Sequence, residues 1–223
     1  MLWDFDGVIC DSAKEAFRVG ATASGITSGV KDNSFDENYA DFLKWRGIVG
    51  PAWNYYYVFR AMHSGTESRE WVKCSEATAF ERRFLAVRRE IQSSNYRLWL
   101  NLHDFYTPIL RLINQYASEY EHIVVTNKNK EAVIDLIKAA GLSDTLTNVI
   151  SLFGNKVPKS SVIANFNPQP CDLFVDDHLP TIRQCFTSGL GDKLKLIHAG
   201  WGYGDSEDSC TVSQDELAVI LSG

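Results

Sequence analysis

The second half of the chain alternates short apolar runs with segments of helical period. Ile123, Val124 and Val125, ending at Thr126, form a continuous apolar stretch, the pattern of a strand buried on both faces of a parallel sheet. Across residues 128–140, Ala132, Val133, Leu136, Ile137 and Ala140 fall on one helical face, and Gly141 follows as a C-terminal stop. The same succession of strand and helix recurs at 148–153 and 160–166, then at 172–175 and 179–186. A strand over 194–199 and a helix over 214–221 close the series. Repeated strand and crossover units predict an open parallel sheet covered by helices, with ligands bound at the C-terminal ends of its strands.

Residues 12–106 carry a different pattern, with several helical segments and no convincing strand. Phe80, Phe84, Val87 and Ile91 recur at helical spacing, while Glu81, Arg82, Arg88, Arg89 and Glu90 occupy the other faces. Ser12 and Glu15 form a capping-box pattern that predicts a helix start. The segment is expected to be a helical insertion behind a first strand of which only Met1, Leu2 and Trp3 precede Asp4. Strands usually run about 5–6 residues, so either this one is short or its start lies further upstream.

Composition narrows the picture without redirecting it. With 223 residues, 45% hydrophobic and 22% charged, the chain can bury one substantial core and carry a second, smaller domain. A formal net charge of −6 argues against nucleic acid and against an anionic membrane surface as partners. No apolar run approaches the roughly 20 residues of a membrane span, and the opening MLWDFDG lacks the basic and apolar parts of a signal peptide, so a cytoplasmic protein is expected. The five cysteines, Cys10, Cys74, Cys171, Cys185 and Cys210, are widely spaced and form no C-x-x-C pair, which points to neither disulfides nor zinc.

Four places carry candidate chemistry, each at the end of an expected strand or in the loop after it. Asp4-Phe5-Asp6-Gly7 sets two carboxylates two residues apart; as hard oxygen ligands they suit Mg²⁺, which could neutralise a phosphate while one of them attacks it. Val125-Thr126-Asn127-Lys128 brings a hydroxyl and then backbone N–H groups to a helix N-terminus, a ready anion site. Lys156 and Lys159 precede a short helix and offer a point charge for a phosphate. Leu173-Phe174-Val175 runs into adjacent acids, Asp176 and Asp177, which could complete a metal's ligand set. Singly these features read equally as turn formers, as an N-cap supplied by Thr126 or Asn127, or as surface lysines. Their joint occurrence in this order is what is informative.

In that order, acid pair, hydroxyl, lysine and acid pair, the chain resembles the haloacid dehalogenase superfamily of hydrolases, and the opening DFDGVICDS is similar to its phosphatase branch, near phosphoglycolate phosphatases and β-phosphoglucomutases. Gly200-Trp-Gly-Tyr-Gly204 also looks like a segment of such phosphatases. The resemblance implies an α/β fold, a Rossmann-like parallel sheet with helices on both faces, made of residues 1–12 and 107–223, with residues 13–106 as an inserted all-helical cap. It implies a magnesium-dependent hydrolysis of a small-molecule phosphate monoester through an aspartyl phosphate, or alternatively a phosphomutase or a non-catalytic binding protein on the same fold.

By the family's pattern Asp4 is the nucleophile, and Asp6 donates a proton to the leaving oxygen and then activates water. Mg²⁺ would be held by Asp4, the backbone carbonyl of Asp6 and Asp177, with Asp176 in or beside that ligand set. Thr126 and Asn127 would hold phosphate oxygens. Either Lys156 or Lys159 fits the family lysine by spacing, and Lys159 is favoured. Thr181 stands four residues after Asp177, where many relatives carry an acid. Asp6 favours phosphate ester chemistry, since relatives acting on carbon–halogen or carbon–phosphorus bonds generally lack it. In the insertion, Trp45, Arg46, Trp53, Tyr55, Tyr56, Tyr57 and Arg60 are candidates for an aromatic pocket suited to a ring or an anionic substrate, with Arg46 an expected substrate contact because it precedes Gly47 near a helix end; aromatics at this spacing equally form a core.

Overall fold

The computed structural model describes residues 1–25, 37–65, 70–155, 157–204 and 209–222. The chain divides into two compact units, Met1–Asp11 with Phe105–Gly223, and Ser12–Asp104. Strands β1 (Leu2–Trp3) and β2 (Cys10–Asp11) come first, followed by helices α1 (Ala13–Ser24), α2 (Glu37–Arg46), α3 (Tyr55–Ser64), α4 (Ser75–Ser94) and α5 (Tyr96–Leu100). Then come β3 (Asp104–Phe105), α6 (Thr107–Gln115), β4 (Ile123–Thr126), α7 (Lys130–Ala139), β5 (Asn148–Ser151) and α8 (Lys159–Ala164). The chain ends with β6 (Leu173–Asp176), α9 (Leu179–Thr187), β7 (Lys195–Ala199), β8 (Thr211–Val212) and α10 (Gln214–Ser222).

The first unit is built on a six-stranded sheet in the order β5-β4-β1-β6-β7-β8, with every pair parallel. The expected Rossmann-like core is therefore present. Every residue of β4 and of β6 is buried, so both faces of the sheet are covered. On one face Leu2, Ile123, Val125 and Phe174 pack with Ile163 of α8 and with Leu179, Ile182 and Cys185 of α9. By the alternation of a strand Trp3 points to the other face, where its indole N–H donates to His122 Nδ1 at 3.0 Å.

Strand β1 holds a central place in the sheet. Leu2 and Trp3 lie between two partners, opposite Ile123 and Val124 on one side and Phe174 and Val175 on the other. The ladder continues past the strand at both ends: Ile123 N–H donates to Met1 C=O at 2.9 Å, and Asp4 N–H donates to Val175 C=O at 2.8 Å. This central position delivers Asp4 to the C-terminal edge of the sheet, level with the end of β6.

Two local expectations need correction. The helix after β4 begins at Lys130, and its cap is Asn129, whose side chain accepts from Ala132 N–H. Neither Thr126 nor Asn127 caps it; Thr126 Oγ1 accepts from Lys128 N–H at 3.1 Å instead and folds the chain into a turn ahead of the helix. Nor does a capping box start α1, because Ser12 makes no capping bond through its side chain. Glu15 is fully buried in a bidentate pair with Arg88 of α4, at 2.5 and 2.8 Å.

The second unit is helical among its described residues except at its end, where Asp104 opens the two-residue β3 that the sequence pattern did not reveal, and its core is aromatic. Phe42 and Tyr55 stack at a centroid distance of 5.8 Å, Tyr55 and Phe84 at 5.1 Å, and Phe59 and Phe80 at 6.2 Å. Tyr57 stacks on Trp71 at 5.9 Å and donates its hydroxyl to Val72 C=O. Much of the aromatic set seen in the sequence thus forms this unit's interior. Among the described residues, no helix is long and apolar enough to cross a membrane.

Candidate active site

At the C-terminal edge of the first unit's sheet, β1 and β6 release three buried carboxylates, Asp4, Asp176 and Asp177. One ligand oxygen from each lies within 4.8 Å of the others. Between two of them sits Lys159 at the start of α8, its Nζ 2.7 Å from Asp4 Oδ2 and 2.7 Å from Asp176 Oδ2. Backbone N–H groups hold the second oxygens: Phe5 N–H donates to Asp4 Oδ1 at 2.7 Å, and His178 N–H donates to Asp176 Oδ1 at 2.8 Å.

Burial raises the Asp4 carboxyl to about 6, with Lys159 opposing the rise and the charge of Asp176 adding to it. For Lys159 burial alone would lower the ammonium, and the charges of Asp176 and Asp4 overcome it and hold the group above its ordinary value. The lysine is thus held charged, while burial works against the ionised form of Asp4 and Lys159 offsets part of that effect.

Three carboxylates and one lysine leave an excess of negative charge in a buried place, and adjacent carboxylates repel unless a cation offsets them. The donor set is all hard oxygen, which fits Mg²⁺. Asp176 has both oxygens engaged, one by Lys159 and one by a backbone N–H, so its chief contact is the lysine.

Asp6 lies in the loop after β1 and turns elsewhere. Its Oδ1 is 3.0 Å from Lys128 Nζ, and Lys128 is almost wholly buried. The loop is tightly wound: Ile9 and Cys10 N–H both donate to Phe5 C=O, and Gly7 N–H donates to Cys10 C=O. Gly7 is required here twice over. Its φ is +80°, and a Cβ at this position would fall 2.1 Å from Asp177 Oδ2.

The segment after β7 closes over the same loop. Gly202 packs so near that a Cβ would lie 2.3 Å from Asp177 Cβ and 2.8 Å from Gly7 C=O. On either side of it, Trp201 donates its indole N–H to Val8 C=O at 3.1 Å, and Tyr203 N–H donates to Asp177 Oδ2 at 3.1 Å. The Tyr203 hydroxyl donates to Asp11 Oδ1 at 3.0 Å. Beneath, the buried His198 of β7 bonds through Nε2 to Asp177 C=O at 3.0 Å and through Nδ1 to Thr211 Oγ1 at 2.8 Å. A carbonyl only accepts, so Nε2 carries the proton.

The structure gathers Asp4, Lys159, Asp176 and Asp177 into one contacting cluster. Asp6 and Thr126 flank Lys128, one meeting its ammonium and the other its backbone N–H. Asn127 is exposed in the turn between β4 and α7. Arg46 belongs to the second unit, buried at the end of α2 with its guanidinium 5.9 Å from the Tyr55 ring centroid. Lys156 lies outside the described residues. Thr181 Oγ1 bonds His178 Nδ1 at 2.9 Å. Lys128, His198 and the backbone of Tyr203 were not singled out individually from the sequence. Lys128 adjoins the Thr126-Asn127 pair, and Tyr203 lies in the Gly200–Gly204 segment, so both stood beside a recognised signal.

No protein-family model matches the chain, and no curated protein matches it by sequence. Solved structures match along its whole length. A "predicted phosphoglycolate phosphatase" from Haemophilus somnus 129PT is similar with a TM-score of 0.65 at 17% identity, over 99% of this chain and 96% of that one. A haloacid dehalogenase-like family hydrolase from Streptococcus pneumoniae has a TM-score of 0.64 at 14% identity, over 99% and 96% of the two chains. A haloacid dehalogenase superfamily hydrolase of subfamily IA, variant 1, from Geobacter sulfurreducens has 0.59 at 13%, over 99% and 94%. At these identities the likeness establishes the fold. The chain has the haloacid dehalogenase-like fold, a parallel-sheet core with an inserted helical unit.

Proposed function

We propose that this chain is a magnesium-dependent phosphatase of the haloacid dehalogenase superfamily that hydrolyses a small-molecule phosphate monoester. The observation that carries the reading is the placement of Lys159 between Asp4 and Asp176, with Asp177 in the same buried cluster. A nucleophilic carboxylate has to be held rigid and kept ionised, and a buried ammonium 2.7 Å away does both.

Asp4, Asp177 and the backbone carbonyl of Asp6 would hold Mg²⁺, with Asp176 as the anchor of Lys159. The ion supplies positive charge that offsets the charge of the phosphate as the carboxylate approaches it. Asp4 attacks phosphorus, the bond from phosphorus to the ester oxygen breaks, and the proton of the Asp6 carboxyl passes to that oxygen to give the alcohol. Asp6, now a carboxylate, takes a proton from the water that attacks the aspartyl phosphate, which returns Asp4 and releases inorganic phosphate. Thr126 and Asn127 hold phosphate oxygens, and residues 13–106 act as the cap, with Arg46 as a substrate contact.

The test is release of inorganic phosphate from a panel of monoesters, with Mg²⁺ and with a chelator, for the native chain and Asp4→Asn. Release that needs the metal and is absent from the variant is expected. Equal turnover in the variant or in chelator would overturn the reading, and phosphate moving between positions of one sugar phosphate without release would identify a mutase.

A further inference from the structure

Two lysines divide the carboxylates of the first loop between them. Lys159 takes Asp4, and Lys128 takes Asp6. Lys128 is fixed along its length: its backbone N–H donates to Thr126 Oγ1 at 3.1 Å, and its carbonyl accepts from Ser151 Oγ at 2.7 Å. The Lys128 side chain is 2% exposed and that of Asp6 23% exposed, so the cation is the buried half of the pair and the carboxylate the half with solvent access. A buried ammonium deprived of its carboxylate is strongly unfavourable, which gives Lys128 a firm hold on Asp6.

This pairing separates two acids that sit only two residues apart. Asp6 is not among the carboxylates whose oxygens lie within 4.8 Å of one another, although its sequence neighbour Asp4 is. We infer that Lys128 is a positioning residue for proton transfer, holding the Asp6 carboxyl group apart from the cluster of Asp4, Asp176 and Asp177 and directed at the ester oxygen that leaves. The inference rests on the phosphatase reading above.

Misplacing a general acid is felt according to the leaving group. An alkyl ester departs as a strongly basic alkoxide unless it is protonated, whereas p-nitrophenolate departs readily without help, and general acid catalysis contributes about 10²–10⁴-fold where it is needed. The experiment therefore compares kcat/KM, which reports the first phosphoryl transfer, for a series running from p-nitrophenyl phosphate to alkyl phosphates. It uses the native chain, Lys128→Met, Asp6→Asn and the double variant, with melting temperatures measured alongside. Should Lys128→Met not fold, Lys128→Gln takes its place.

The expected result is a loss of about 10²-fold or more for alkyl esters and less than about 5-fold for p-nitrophenyl phosphate. In the Asp6→Asn background the lysine substitution should have no further effect on this dependence, because it acts through Asp6. A uniform loss across all esters, or a further change in the double variant, overturns the inference and leaves the phosphatase reading intact, since it assigns Lys128 to phosphate binding or to packing. Native protein that releases no phosphate from any ester overturns both.

Discussion

Replacing Lys159 with methionine isolates the electrostatics of the carboxylate cluster. Methionine keeps much of the length and volume and removes the ammonium from between Asp4 and Asp176, each 2.7 Å from it. The side chains of Lys159, Asp4 and Asp176 are 4%, 11% and 0% exposed, so water can do little to replace it. Breaking a buried ion pair by removing one partner destabilises by about 3–5 kcal/mol. For a chain of this size that corresponds to a fall in melting temperature of roughly 6–20 °C. The measurement is thermal and urea unfolding in chelator near pH 8, because the Asp4 carboxyl, at about 6 with Lys159 beside it, rises further once the lysine is gone, and at lower pH it takes up a proton and softens the loss. Lys159→Met with Asp176→Asn should recover much of the stability, since one buried charge goes and the amide oxygen can still accept from His178 N–H. Lys14→Met, at an exposed pair with Asp104 whose side chains are 35% and 60% exposed, serves as the control and should cost under about 1 kcal/mol. A Lys159→Met loss no larger than that control, or a double variant as unstable as the single, would refute the argument that charge imbalance governs this site.

Three further outcomes are expected. Mg²⁺ should raise the melting temperature of the native chain, by about 2.7 kcal/mol in stability at a hundred times the dissociation constant, and Asp177→Asn should abolish most of the rise; equal rises in both would remove Asp177 from the ligand set. Gly202→Ala forces a methyl group to within 2.3 Å of Asp177 Cβ, so it should destabilise by about 1–3 kcal/mol and lower phosphate release, and full activity with unchanged stability would contradict the packing described. His122 is lowered to about 4 by burial, so its neutral form belongs to the fold. Its contribution is complete above the unfolded value of about 6.5 and is lost as pH falls from there through about 4, amounting to about 2 kcal/mol once residual solvent screening is allowed for. His122→Asn, which can still accept the Trp3 indole N–H, should flatten that part of the curve in urea unfolding, and an unchanged slope would assign the acid sensitivity elsewhere.

Strands buried on both faces were the most legible elements in the sequence, because Ile123, Val124 and Val125 or Leu173, Phe174 and Val175 leave little room for another reading. The long amphipathic α4 was equally plain from Phe80, Phe84, Val87 and Ile91. The two-residue β8 escaped notice, since a pair such as Thr211-Val212 has no period, and its pairing with β7 is a tertiary event. Helix starts were misplaced where several small polar residues competed. Thr126, Asn127 and Asn129 can all cap, and Asn129 does so because Thr126 is engaged by the Lys128 backbone. The same limit explains Lys128 itself. A lysine in sequence reads as a surface group, and only the turn fixed by Thr126 and Ser151 shows that it is buried against Asp6.

The place of β1 in the middle of the sheet has a kinetic consequence. Its neighbours are remote along the chain, as the Trp3 to His122 hydrogen bond across 119 residues illustrates, whereas within residues 12–104 helices adjacent in sequence pack on one another, α2 on α3, α3 on α4 and α4 on α5, with α1 reaching α4 across 73 residues at Glu15 and Arg88. Contacts of high sequence separation form late, because closing so large a loop gives up chain entropy before any pairing offsets it. The helical unit should acquire protection from hydrogen exchange before the sheet does. The strand that delivers Asp4 is then among the last parts of the chain to settle, and the carboxylate cluster is assembled only as folding finishes.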